Sequence, residues 1–302
     1  MNAAEHTPPG ASLLRQLDHV VLAVHDLTRA SEDFRNLGFS VTPGGRHPGR
    51  TSHNALVVFA DGAYLELIAW SAPAPEERWW RSLQAHGEGW VDHALLPSAV
   101  GPALTAAQAR GLGGLRGPLP GGRTRPDGTR IEWETARHDT ADVPFLSADL
   151  TPRSLREPSG CARQHANGAT GIAVMAVAAQ DVAMSSHRWA ALLGPGIPLN
   201  AWSSAVGLRH CGYTLGSTQF ELVGLEASSP RAASARIKSS FQEQLRQRLL
   251  DRDASQGDGP IALRLHGPGP QRILDPSRCH GALICLGTAS DEQHDPPFFP
   301  VP

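Results

Sequence analysis

Residues 17–70 read LDHVVLAVHDLTRASEDFRNLGFSVTPGGRHPGRTSHNALVVFADGAYLELIAW, and their hydropathy pattern decides the fold class. Leu17 to Val24 is an apolar run that opens on Asp18-His19, as a buried strand would. Asp26 stands at a helix N-cap, and Leu27, Ala30, Phe34 and Leu37 recur at helical spacing until Gly38 ends the helix. Phe39 to Thr42 reads as a short strand. After a Gly/Pro/Arg-rich loop, Ser52 to Ala60 and Ala63 to Trp70 form a hairpin about Asp61-Gly62. Two residues break the apolar logic: His19 in the first strand and Glu66 in the last. A carboxylate between Leu65 and Leu67 needs a partner, because burying it alone is costly.

Outward from this stretch the order strand, helix, three strands recurs. Trp79-Trp80 and Leu83 mark a short connecting helix. Trp90 to Leu96 then mirrors Leu17 to Leu22, with Asp92-His93 in register with Asp18-His19. Ala103 to Gly111 is the matching helix, and Leu115 to Leu119, Arg130 to Thr135 and Val143 to Asp149 are the matching strands. A third copy begins at Ile172 to Ala178, continues through a helix at Val182 to Leu193, and closes with Leu208 to Leu215 and Gln219 to Leu225. A fourth is degraded to an amphipathic helix, Ser234 to Asp251, and two strands, Pro260 to Leu265 and Gly281 to Leu286. The expected fold is α+β, built from paired βαβββ modules in two domains, the second partly degenerate. The first domain spans 13–150 (modules 17–70 and 90–150), a linker 151–167, the second domain 168–290 and a tail 291–302.

A βαβββ unit with histidine in its first strand and glutamate in its last resembles a module of the vicinal oxygen chelate superfamily, which includes glyoxalase I, methylmalonyl-CoA epimerase, fosfomycin-resistance proteins and extradiol dioxygenases. GGRHPGRTSHNALVVF followed by YLELIAW is similar to bacterial glyoxalase-like domain proteins. The resemblance implies a cleft between paired modules, with a divalent metal (Fe, Mn, Ni, Co or Zn) on His19, Glu66 and His93. Two imidazoles and a carboxylate suit such an ion and leave positions open for substrate. The fourth position falls in Val143 to Asp149, where no glutamate stands, which departs from a four-ligand site. The bland reading is that each Asp-His caps a polar strand edge and that Glu66 pairs with Arg46 or Arg50. The resemblance implies a lyase or isomerase acting through an enediolate-type oxyanion. Its rivals are an Fe(II) extradiol-type dioxygenase and a metal-free protein that sequesters a ligand, as bleomycin-resistance relatives do.

His53 shares strand parity with Ala55, Val57 and Phe59 and is the candidate base, or else a strand-edge histidine; His47 and Asn54 are candidate substrate contacts. In the Gly121 to Gly128 loop, Arg123 and Arg125 beside Trp133 would hold an anionic substrate, or else face solvent on a Pro126-Asp127-Gly128 turn. Glu221 repeats Glu66 without a first-strand histidine, so the second domain is expected to be structural.

Composition narrows the class. A chain of 302 residues with 40% hydrophobic content supports two cores. A net charge of −2 argues against an electrostatic grip on nucleic acid or membrane. Lys238 is the only lysine and lies in a polar helical stretch, which argues against Schiff-base chemistry. Cys161, Cys211, Cys279 and Cys285 lack metal or redox spacing and read as reduced thiols of a cytoplasmic protein. Met1 to Ser12 reads as a frayed leader without the marks of a signal peptide. The expected partner is a small-molecule substrate, and the expected state a monomer or homodimer.

Overall fold

A computed structural model describes residues 13–195, 200–203, 208–225, 241–252 and 256–288. One module is β1 (Leu14–Ala23), α1 (Leu27–Asn36), β2 (Thr42–Arg46), β3 (Ser52–Val58) and β4 (Tyr64–Trp70). After α2 (Arg78–His86) comes the next: β5 (Gly89–Pro97), α3 (Val100–Ala109), β6 (Arg116–Thr124), β7 (Arg130–Arg137) and β8 (Phe145–Asp149). The eight strands close into a barrel in the order β1-β4-β3-β2-β6-β7-β8-β5. β1 runs parallel to β4 and β5 parallel to β8, while the two modules meet where β1 and β5 pair antiparallel. The opposite seam, β2 to β6, is held by the single pair Arg46–Thr124.

The expected helix punctuation is present. Asp26 accepts from the Thr28 and Arg29 amides, and Gly38 ends α1 at φ +90°. The expected loop at Gly121-Gly122-Arg123 is instead strand. β6 runs to Thr124 because the glycines allow close approach: a Cβ at Gly121 would overlap the Trp133 indole, and one at Gly122 would come within 2.8 Å of the Ile131 carbonyl.

Residues 151–167 are not a free tether. α4 (Arg153–Arg156) and a 3₁₀ turn (Gly160–Arg163) lie against the barrel. His165 accepts from the Ser40 amide at 3.0 Å and donates through Nε2 to the Val58 carbonyl at 3.2 Å, between the rings of Phe39 and Phe59. Asn167 donates to the Leu37 carbonyl at the end of α1.

The second domain has β9 (Gly171–Ala178), α5 (Val182–Leu193), β10 (Asn200–Ser203), β11 (Leu208–Leu215), β12 (Thr218–Leu225), α6 (Phe241–Asp251), β13 (Gly259–Pro270), β14 (Arg272–Ile273) and β15 (Leu283–Thr288). Its sheet order, β10-β11-β12-β9-β13-β15-β14, repeats the barrel order from β2 through to β7 and stays open where β6 would close it. α6 packs Leu245 and Leu249 on Val174, Ala176, Val223 and Ile261. By strand parity this is the face of Glu221, the counterpart of the cavity face in the first barrel, so a helix fills the place of a second cleft. The expected start of that helix at Ser234 and the tail at 291–302 lie outside the described residues. One apolar cluster runs from Leu14 in β1 to Leu286 in β15, so the two domains share a core. Among the described residues no helix is long and apolar enough to cross a membrane.

Candidate functional site

Asp18 is an extra residue in β1. Leu17 faces Leu95 of β5 and His19 faces Ala94, so two steps on one strand match one on the other. This bulge changes the parity after Leu17 and turns His19 into the barrel. β5 bulges one residue before its own Asp-His pair: Asp92 faces Val21 and Trp90 faces Leu22, so Val91 is the extra residue. There Asp92 and Ala94 face inward and His93 faces outward, with its ring stacked on Trp189 of α5 at 5.9 Å and 19°. Identical dipeptides therefore point to opposite faces. His93 is fully buried in the domain interface and cannot join His19 and Glu66 about one ion in this arrangement.

β8 lines the cavity with Phe145 and Ser147, while its one carboxylate, Asp149, is held by Arg153 and Arg156. The second module thus brings no glutamate to the cavity. Its inward carboxylate, Asp92, is already engaged by Arg78, Trp79 (2.8 Å) and Arg137 (3.5 Å).

His19, Glu66, His47 and Asn54 converge in a cavity of about 320 Å³. Arg156 and Arg153 hold the fully buried Asp18 carboxyl well below the usual carboxylate range, against the opposing effect of burial. Ionised Asp18 only accepts, so the 2.7 Å contact places a proton on His19 Nδ1. His19 Nε2 then lies 3.5 Å from Glu66 Oε2, and its ring stacks on Tyr64 at 4.7 Å. Asn54 Nδ2 donates to Glu66 Oε1 at 2.6 Å. His47 is anchored through Nδ1 to the Ser52 hydroxyl at 3.0 Å, with Nε2 3.8 Å from Glu66 Oε1. Burial lowers the His47 pKa, opposed by the Glu66 charge and reinforced by Arg123 and Arg50.

Of the other expected residues, Arg123 and Trp133 line the cavity. Arg125 pairs with Asp127 at 3.5 Å and is not among its lining residues. His53 lies between the cavity residues Ser52 and Asn54 in β3 and so faces the other side, with Val57 and Phe59, away from the cavity. Residues that the sequence reading missed support the site from beneath. Arg156, 2% exposed, forks onto Asp18 at 2.7 and 2.9 Å, reaches the Tyr64 hydroxyl at 2.7 Å and grips Asp149. Their signal was the arginine spacing in a polar stretch, which looks the same as solvated charge.

The three-ligand divalent site implied by the resemblance needs His19, Glu66 and His93 to face one point. With His93 turned away, no group of three or more His, Cys, Asp and Glu among the described residues is arranged to hold an ion. The donor set does not fit that site as drawn.

Both ring nitrogens of His93 lack a partner among the described residues, and burial pulls its pKa down to about 4. Its unfolded value is near 6.5, so the unfolded chain binds the extra proton as pH falls between about 6.5 and 4. Stability is full above this window and is lost through it, by about 3 kcal/mol at the lower end. His93→Leu is therefore expected to change stability at pH 7 by no more than about 1 kcal/mol and to flatten the loss toward pH 4. Denaturant unfolding at both pH values checks this; a variant that folds normally but has lost its activity or a bound metal would return His93 to the site.

The sequence model described as a glyoxalase-like domain matches residues 17–193, more than half of the chain. A protein from Staphylococcus aureus described as hypothetical is similar in structure, with TM-score 0.62 and 12% identity over 89% of this chain and 98% of that one. A substituted form of 4-hydroxymandelate synthase from Streptomyces coelicolor is similar with TM-score 0.58 and 15% identity, over 85% of this chain and 72% of that one. At these identities the likeness is one of fold. The search of curated proteins found no match.

Proposed function

We propose, from the premise that this chain belongs to the glyoxalase-like domain family within the vicinal oxygen chelate superfamily, that the first-barrel cavity binds a small oxygen-bearing molecule and moves a proton on it. The step is of isomerase or lyase type, at a carbon beside a carbonyl. The line Asp18–His19–Glu66, ending in the cavity, carries this reading. Asp18 fixes the proton on Nδ1 and leaves Nε2 as the acceptor, while Asn54 orients the Glu66 carboxylate. Either group can take a proton from carbon and return it at the neighbouring atom, and the cavity arginines stabilise the oxyanion that forms between. The cavity volume suits a metabolite rather than a polymer. A divalent ion would supply Lewis-acid polarisation of the substrate oxygens; the donors present fall short of the expected set, so the proton transfer rests on protein groups.

The test is incubation in deuterated water with a panel of small 2-oxo and 2-hydroxy compounds. NMR follows deuterium entering carbon, and the same tag-free, chelator-free protein is analysed for metals. Deuterium exchange by the wild type, abolished by His19→Ala, is the expected result. Tight binding without exchange would support ligand sequestration instead. Stoichiometric metal lost in both His19→Ala and Glu66→Gln would restore the metal-dependent readings, the dioxygenase included, with His47 as the replacement ligand to examine.

A further inference from the structure

Five arginines line the cavity, and four have carboxylate partners. Arg50 meets Glu77 at 3.5 Å, Arg130 meets Glu132 at 2.8 Å, Arg137 meets Asp92 at 3.5 Å, and Arg156 holds Asp18 and Asp149. Arg123 is the exception. It is 3% exposed, yet among the described residues no carboxylate reaches its guanidinium at ion-pair distance. Its N–H groups go to neutral oxygens, the Asn54 side chain (3.4 Å) and the Arg156 carbonyl, and Nε has no acceptor among the described residues. Burial pulls its pKa down, and the Glu66 charge, which lies beyond ion-pair distance, offsets that only in part.

The fold holds this arginine in place deliberately close. A Cβ on Gly44 would overlap the Asn54 amide and come within 2.8 Å of Arg123 Nη1, so glycine there lets Arg123 and Asn54 meet. Asn54 in turn donates to Glu66, which puts the unneutralised cation one side chain away from the proton-transferring carboxylate. Around them the cavity walls are flat and apolar: Tyr64, Trp79, Trp133 and Phe145.

We propose that Arg123 is the anion-binding subsite of the cavity, and that the substrate is a flat, ring-bearing monocarboxylate whose carboxylate docks on Arg123 while its ring lies among the four aromatic side chains. The assignment rests on the proton-transfer reading for its orientation: a carboxylate on Arg123 places the adjoining carbon toward Glu66 and His19. An incoming anion supplies the missing counter-charge in a desolvated setting, where a charge-assisted hydrogen bond counts for most. A neutral ligand of the same shape leaves the guanidinium uncompensated, so charge discriminates between the two.

Calorimetric titration of the full chain with benzoate and with benzamide, its uncharged counterpart, tests this. Wild-type protein should bind benzoate at least tenfold more tightly than benzamide. Arg123→Met should bring that ratio to near one with benzamide affinity unchanged, and Arg123→Lys should keep part of the preference. If Arg123→Met fails to fold, the wild-type ratio and its decline at high salt still decide the matter. Equal binding of the two probes, binding of neither at millimolar concentration, or a benzoate preference that survives in Arg123→Met would each overturn the proposal. Failure of the proton-transfer reading is separate: it shows as absent deuterium exchange while the Arg123-dependent preference persists.

Discussion

Replacing Glu66 with glutamine is expected to lower turnover by about 10²- to 10⁴-fold, the usual worth of a positioned acid–base group, while leaving the fold intact. Glutamine matches the shape of glutamate, and its carbonyl oxygen can still accept the Asn54 amide that now reaches Oε1. What is lost is the proton acceptor beside His19 Nε2. A second readout is independent of any substrate. The Glu66 charge raises the His47 pKa, in opposition to burial, Arg123 and Arg50. Removing that charge should shift the His47 imidazole titration, followed by NMR, further down. A variant that keeps wild-type turnover would end the role given to Glu66. An unmoved His47 titration would show that the two side chains are not coupled as the 3.8 Å separation implies.

Arg156→Met should be the most damaging substitution to stability, by about 3–5 kcal/mol. Methionine fills much of the same volume but removes the fork on Asp18 and the grip on Asp149. Arg153 Nη1 still reaches Asp18 at 2.6 Å, yet a fully buried carboxylate loses its larger electrostatic partner. The sign of the acid response follows. Asp18 has a folded pKa well below 3.8, so its contribution is present above that value and is lost as pH falls below it toward the folded pKa. With Arg156 gone the folded pKa rises toward the unfolded one. The contribution is then small at all pH values, and acid unfolding below about pH 4 should become shallower. Urea unfolding at pH 7 and pH 3 checks both points. A loss under 1 kcal/mol at pH 7 would mean that Arg153 and His19 suffice to hold Asp18.

The repeated modules were legible because each rests on local signals. Asp26 and Gly38 bracket α1, Asp61-Gly62 turns the hairpin into β4, and the apolar runs of β1 and β9 announce buried strands. His19 and Glu66 were legible for a related reason, since a polar side chain inside an apolar strand requires a partner. The glycines at 121 and 122 misled because composition cannot distinguish a turn from a strand that another side chain must cross. His53 was ambiguous by construction: alternation groups it with Val57 and Phe59 but does not say which face is the cavity.

By itself, the sequence determined the α+β class, the paired modules, the degeneration of the last one and the absence of a glutamate opposite Glu66 in the second module. Those are properties of runs and spacings within a few residues. Only the tertiary structure decided which of two identical Asp-His pairs enters the cavity. That choice depends on where each strand bulges, at Asp18 in β1 and at Val91 in β5, and the Asp18 carboxylate is held by Arg156, 138 positions away in a stretch that reads as linker. A parity change of one residue reverses every side chain that follows it, and the contacts that hold it are long-range ion pairs which no local pattern encodes.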